Sequence, residues 1–229
     1  MKPIVHINVA MTADGKIDTI ERAGTVISSA ADKQRVERLR AESDAVMVGG
    51  RTLLGEDPRL TVRSEALRLA RVARGLPPNP AKVGVVTTAA LKPAARFLRE
   101  GPASVLIFTT SQTSAEQLEM LRAGGAQVFV NDGPRVDLEA ALQTLGEQGV
   151  RRLMVEGGGT LNFELLRRGL ADELSICVAP LIFGGASAPT PADGIGLTRG
   201  AAVALELRQM DRLEDGSVVL NYKVIGRDG

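Results

Sequence analysis

Leu153-Met154-Val155-Glu156-Gly157-Gly158-Gly159-Thr160-Leu161 decides how the rest of the chain is read. Three apolar residues form the end of a buried strand. Beyond the glycines comes a helix pattern with Leu161, Leu165 and Leu166 on one face and Gly169 just past its end. A strand that runs through glycines into a helix makes an anion site. Missing side chains let a ligand approach the backbone, and the free N–H groups and positive helix end face it. Glu156 sits on the lip of that site. The competing reading is a tight strand-to-helix turn with no ligand. A second turn of this kind, Gly49-Gly50-Arg51-Thr52, follows the short apolar run Ala45-Val46-Met47-Val48. Two glycine-led helix starts imply a ligand with more than one anionic group.

Working outward, residues 4–10 read as a first strand, followed by an Asp14-Gly15 turn. Residues 32–42 read as a helix with Val36 and Leu39 inward. Residues 64–74 read as a helix carrying Leu67, Leu69, Val72 and Ala73, with a blurred apolar face. Residues 75–80 are a loop, rich in proline, that joins two halves of one sheet. The middle alternates strands at 83–86, 105–108 and 127–130 with helices. One of these opens on a capping box, Thr113 to Glu116, and another on Asp137. Short, continuously apolar strands separated by helices predict a mostly parallel sheet covered on both faces. The end differs: alternating strands at 174–178, 203–207 and 218–224, with an Asp215-Gly216 hairpin signal, predict antiparallel closing strands. The Gly/Pro/Ala-rich loop of residues 184–200 has a length that usually carries function or mobility. We read the 229 residues as one domain.

Composition narrows the chemistry. A net charge of +1 gives no reason to expect a nucleic-acid partner. One cysteine and one histidine exclude a disulfide framework and a zinc cluster, and no metal is expected. Cys177 reads as a packed small residue and His6, inside the first strand, as structural. No apolar run approaches the roughly 20 residues of a membrane span, so we expect a cytoplasmic protein. Asp14, Asp18, Glu56, Asp57 and Glu156 are too scattered to predict a metal site, and no nucleophile–base pair is legible. Arg40, Arg51, Arg59 and Arg63 gather around the first glycine turn, where an arginine fork suits a phosphate ester. The chemistry left is positioning plus an electrostatic partner, which suits hydride transfer from a nicotinamide. The glycine-rich fingerprint of a standard dinucleotide fold is absent after the first strand.

Four motifs occur in order: Asn8 to Ile17, Val48 to Arg63, Glu156 to Leu161, and Ala179 to Gly185. In these the chain resembles the pyrimidine reductases of riboflavin biosynthesis, both the reductase half of the bifunctional deaminase/reductase and the stand-alone type. The resemblance implies a dihydrofolate-reductase-like three-layer α/β/α fold. It implies NADPH-dependent reduction of a ribosylamino-pyrimidine 5′-phosphate to the ribitylamino compound, and a homodimer. On this resemblance Ala10, Thr52, Glu56, Thr87, Gly157, Gly158, Gly159 and Thr160 contact the cofactor. Arg40, Leu60, Arg63 and Glu156 contact the substrate, with Arg63 gripping its phosphate. Asn8, Asp14 or Glu156 orients the pyrimidine or moves a proton. Where the bifunctional relatives carry a tryptophan, this chain reads Thr25-Val26-Ile27-Ser28, and the zinc deaminase signature is absent. The alternatives are a same-fold reductase of another pteridine or pyrimidine, dihydrofolate included, and a non-catalytic nucleotide-binding protein.

Overall fold

The computed structural model describes residues 1–226. They divide into two compact units, one of residues 1–3 and 37–154, the other of residues 4–36 and 155 onward.

The first unit is built on strands β2 (Ala45–Gly49), β3 (Ala81–Val85), β4 (Val105–Thr110), β5 (Gln127–Asn131) and β6 (Arg152–Val155), in the order β5-β4-β3-β2-β6. β2, β3, β4 and β5 pair in parallel. The apolar runs of β2, β3 and β4 are buried on both faces, as parallel strands under helices require, whereas β5, at the edge of the sheet, is half-exposed. Asp44 aligns the strand starts: its carboxylate accepts from the Arg151 and Arg152 amides at 2.8 and 2.9 Å, and its carbonyl accepts from the Ala81 amide. The helices are the C-terminal part of α1 (Ala30–Glu42), α2 (Gly50–Glu56), α3 (Glu65–Ala73), the one-turn α4 (Arg96–Arg99), α5 (Ala115–Ala123) and α6 (Leu138–Glu147). α6 buries Leu138, Ala141, Leu142 and Leu145, and Asp137 caps it by accepting from the Glu139 and Ala140 amides.

The second unit takes the order β1-β7-β9-β8, from β1 (Ile4–Thr12), β7 (Glu173–Ala179), β8 (Ala204–Arg212) and β9 (Val218–Ile225). β1 and β7 are parallel, whereas β9 runs antiparallel to both β7 and β8. Asp172 does here what Asp44 does in the first unit: its carboxylate and amide bond the two sides of Val5, and its carbonyl accepts from Val224. Helix α7 (Gly159–Arg167) follows β6 and buries Leu161, Phe163 and Leu165. The predicted mostly parallel architecture with antiparallel closing strands is the one observed. No helix among the described residues is long and apolar enough to cross a membrane.

Two local expectations change. In α3, Leu69 and Val72 are exposed, and the buried residue is Arg71, at 1% exposure. Its guanidinium donates to the carbonyls of Ala41, Ser43 and Pro77 at 2.9, 2.7 and 2.8 Å. Arg71 thus satisfies the orphan carbonyls at the end of α1, which explains the blurred apolar face. In α5 the cap is Ser114, whose hydroxyl accepts from the Gln117 amide, and no reciprocal box forms. Thr113 instead accepts from the Ala89 amide at 2.9 Å and bonds Thr109.

Candidate functional site

In the first unit the chain between α2 and α3 is tied down residue by residue. Asp57 and Leu60 adopt left-handed backbone, with φ of 46 and 52°. The Asp57 carboxylate accepts from the Arg96 and Phe97 amides and so starts α4. Asn79 accepts from the Val62 amide at 2.9 Å, and Glu37 accepts from the amides of Arg63 and Ser64 at 2.7 and 3.1 Å. Arg40 donates to the Thr61 carbonyl at 3.1 Å. With its backbone held by Glu37, Arg63 presents an exposed guanidinium that makes no hydrogen bond or ion pair among the described residues. Leu60 is enclosed in the core, at 1% exposure. Arg59 pairs with Glu100 at 2.5 Å. Neither Glu37 nor Asn79 was singled out in the sequence, because a side chain that bonds a distant backbone amide leaves no local pattern.

Helix α2 opens on Gly49 with no side-chain cap. Gly50 is there for packing, since a Cβ would lie 3.0 Å from Val86 Cγ2. Thr52 is half-buried in this helix and Glu56 is exposed at its end. Thr87, just after β3, is half-buried, and its carbonyl accepts from the hydroxyls of Thr109 and Thr110.

In the second unit, α7 opens on Gly158, again with no side-chain cap. The Gly157–Gly158 peptide is cis, and Gly157 has φ of 100°. A Cβ on Gly157 would meet nothing within 4 Å, whereas one on Gly159 would lie 2.4 Å from the Thr190 carbonyl oxygen. The glycines therefore differ in purpose. Gly157 supplies backbone conformation beside open space, and Gly159 lets the loop of residues 184–200 close over the first turn of α7. That loop is docked: the Asp193 amide donates to the Gly159 carbonyl, and Asn162 Nδ2 donates to the Pro191 carbonyl at 2.9 Å. Asn162 Oδ1 is buried with no partner among the described residues. Thr160 is exposed and Glu156 half-buried. An uncapped helix start beside an open glycine suits the charged bridge of a dinucleotide, so the residues present fit such a cofactor.

On β1, Asn8 is buried and Ala10 half-buried, two residues apart and so on one face. Asn8 Oδ1 accepts from Arg35 Nη2 at 2.7 Å. Asp14 is committed to its own loop: it accepts from the Thr12 hydroxyl at 2.5 Å and from the Phe183 and Gly184 amides at 3.2 and 2.7 Å. These bonds, the Thr12 hydroxyl's above all, hold its carboxyl below the usual aspartate value. Asp18 accepts from the amides of Thr19, Gly24 and Thr25 and closes the next turn. His6 is buried and bonds Ser175 at 2.7 Å, a structural role as expected. Cys177 is buried, and desolvation, helped by the nearby Asp32 charge, pushes its thiol up to about 12. No cluster of metal-ligating side chains occurs among the described residues.

Comparison with known proteins bears on this arrangement. A family model described as the RibD C-terminal domain matches residues 3–219. The chain belongs to the RibD C-terminal domain family. Two archaeal relatives are each named 2,5-diamino-6-ribosylamino-4(3H)-pyrimidinone 5′-phosphate reductase. The one from Methanothermobacter thermautotrophicus is 40% identical over 227 residues, covering 99% of this chain and 100% of the relative. The one from Archaeoglobus fulgidus is 38% identical over 219 residues, covering 96% and 97%. The crystal structure of a pyrimidine reductase-like protein from Corynebacterium diphtheriae superposes with a TM-score of 0.85 over 98% of this chain and 92% of that one. At 21% identity, that likeness shows the RibD-type fold. The match to residues 3–219 takes in residues of both units.

Proposed function

We propose that this chain reduces a 5-phosphoribosylamino-pyrimidine to its ribitylamino counterpart, with NADPH as the reductant, and that both units act as one reductase domain. The observation that carries the reading is the start of α7, an uncapped nine-residue helix entered through Gly157 and Gly158. The backbone N–H groups of Gly159 and Thr160 hold the dinucleotide's diphosphate, and Ala10, Thr52, Glu56 and Thr87 make its remaining contacts. When bound, the nicotinamide supplies the hydride. Arg63 and Arg40 hold the substrate phosphate, a match of planar donors to phosphate oxygens. The opened sugar is an imine; reduction adds hydride to its carbon and a proton to its nitrogen. We assign proton delivery to Glu156, on the lip of the glycine turn, and orientation of the bound ring to Asn8, while Asp14 clamps its own loop. Holding the reacting groups in place supplies most of the acceleration, up to roughly 7–11 kcal/mol.

We further propose a homodimer. All nine residues of β8 but Asp211 are exposed, and Leu205, Leu207 and Met210 share a face with Tyr222 and Leu220 of β9. An apolar edge of this kind is normally covered. Sedimentation of the chain and of a Leu207→Lys/Met210→Lys variant tests it, and a monomeric wild-type chain at micromolar concentration refutes it.

The test of function is steady-state turnover with the deaminated and the aminated pyrimidine, each with NADPH and with NADH, followed by nicotinamide absorbance. Turnover of either pyrimidine supports the assignment. Binding of NADPH without turnover of any phosphorylated pyrimidine refutes it in favour of a nucleotide-binding protein, and turnover of dihydrofolate alone refutes it in favour of another same-fold reductase.

A further inference from the structure

The second unit buries an ion pair. Asp32 is 0% exposed, and the Arg35 side chain only 14%. Arg35 Nε and Nη2 both reach Asp32 Oδ1, at 2.9 and 2.8 Å, and the Ser28 hydroxyl donates to Asp32 Oδ2 at 2.5 Å. Desolvating such a pair is costly, and a well-packed apolar replacement is often as stable, so fold stability alone is a poor reason for it.

The same guanidinium nitrogen that faces Asp32 gives a better one. Arg35 Nη2 also donates to Asn8 Oδ1 at 2.7 Å. A guanidinium has donors only, so this contact fixes the direction of the amide: the oxygen faces Arg35 and the NH₂ group faces away. That NH₂ makes no hydrogen bond among the described residues, yet it is not among the buried polar atoms sealed without a partner. Asn8 thus presents a donor edge that no described residue occupies. It does so on the strand face it shares with Ala10, where β1 becomes half-buried.

We propose that Arg35, anchored by Asp32 and Ser28, is a positioning residue that sets Asn8 as a hydrogen-bond donor, and that Asn8 receives the carbonyl oxygen of an amide or lactam in a bound heterocycle. This rests on the reading of Asn8 as a site residue. Both molecules of the proposed reaction carry such a carbonyl, one in the pyrimidinone ring and one in the nicotinamide carboxamide.

Asn8→Asp is the sharpest test. The carboxylate keeps the side chain's shape and pairs with Arg35, while an acceptor replaces the donor edge. We expect kcat/KM to fall about tenfold or more, with the melting temperature maintained. Calorimetric titrations with NADPH and with the pyrimidine locate the carbonyl: weaker binding confined to NADPH indicates the carboxamide, and weaker binding confined to the pyrimidine indicates the lactam. Unchanged affinities and unchanged kcat/KM would overturn Asn8 as a ligand donor and the proposal with it. Arg35→Lys supplies a second test, since lysine balances Asp32 but lacks the planar fork. It should lower kcat/KM about threefold or more in the wild-type background and have no further effect in Asn8→Ala. Equal losses in both backgrounds would show that Arg35 supports the fold only, overturning its positioning role while leaving the reading of Asn8 intact.

Discussion

Lys82 is fully enclosed between β3 and α4, at 0% exposure. Its ammonium donates to the carbonyls of Phe97, at 2.9 Å, and Glu100. Burial pulls it from its ordinary 10.5 down to about 8, against the raising influence of Glu100 and Asp57. That difference corresponds to about 3 kcal/mol between the protonation states. The sign follows from linkage. Between about pH 8 and 10.5 the unfolded chain keeps the proton and the folded chain has lost it, so stability rises with pH across that window. Below about pH 8 the folded protein bears the full desolvation penalty of the charged amine. Lys82→Met removes the charge, which relieves that penalty, but it leaves two buried carbonyls without their donor at about 1–3 kcal/mol each. The two effects are of similar size, so stability at a single pH does not discriminate. The slope does. Urea unfolding of wild type and Lys82→Met at matched pH should show the difference moving in favour of wild type by about 2–3 kcal/mol as pH rises through the window. Other titrating groups cancel in the difference. Parallel stability curves would show that the amine keeps its ordinary pKa and that its carbonyl partners fully replace water.

Three further outcomes are expected. Arg63→Ala should raise the KM for the pyrimidine about ten- to a hundredfold, the loss of a charge-assisted contact, and leave that for NADPH nearly unchanged; equal effects on both would refute the phosphate assignment. Gly159→Ala should destabilise the protein by about 1–3 kcal/mol and weaken NADPH binding, because the new Cβ meets the Thr190 carbonyl. A melting temperature and a dinucleotide affinity equal to wild type would refute that account of the glycine. Cys177 should resist thiol reagents at about pH 8 in the native state and react only as fast as the chain opens, because the thiol is buried and raised to about 12; rapid labelling of the folded protein would contradict its position.

Features encoded within a single element are legible in the amino-acid order alone. Apolar periodicity placed the strands and most of the helices, Asp137 announced its own helix, and the glycines of 157–159 marked the turn into α7. These signals are local, because strand and helix periods impose themselves on neighbouring residues. The tertiary structure alone decided which polar groups meet across the chain. Arg71 went inward among the carbonyls of α1 while Leu69 and Val72 turned to solvent, against the hydrophobic pattern. Asp14, legible as an acid, was spent on the amides of Phe183 and Gly184, 169 and 170 residues away. Gly159 and Gly157, identical in sequence, separated into a packing residue and an open turn. The Arg35–Asp32 pair is visible as an i,i+3 spacing on α1, but its contact with Asn8 is not. Hydrogen bonding in a core depends on direction and distance between segments brought together by folding, and no local period carries that information.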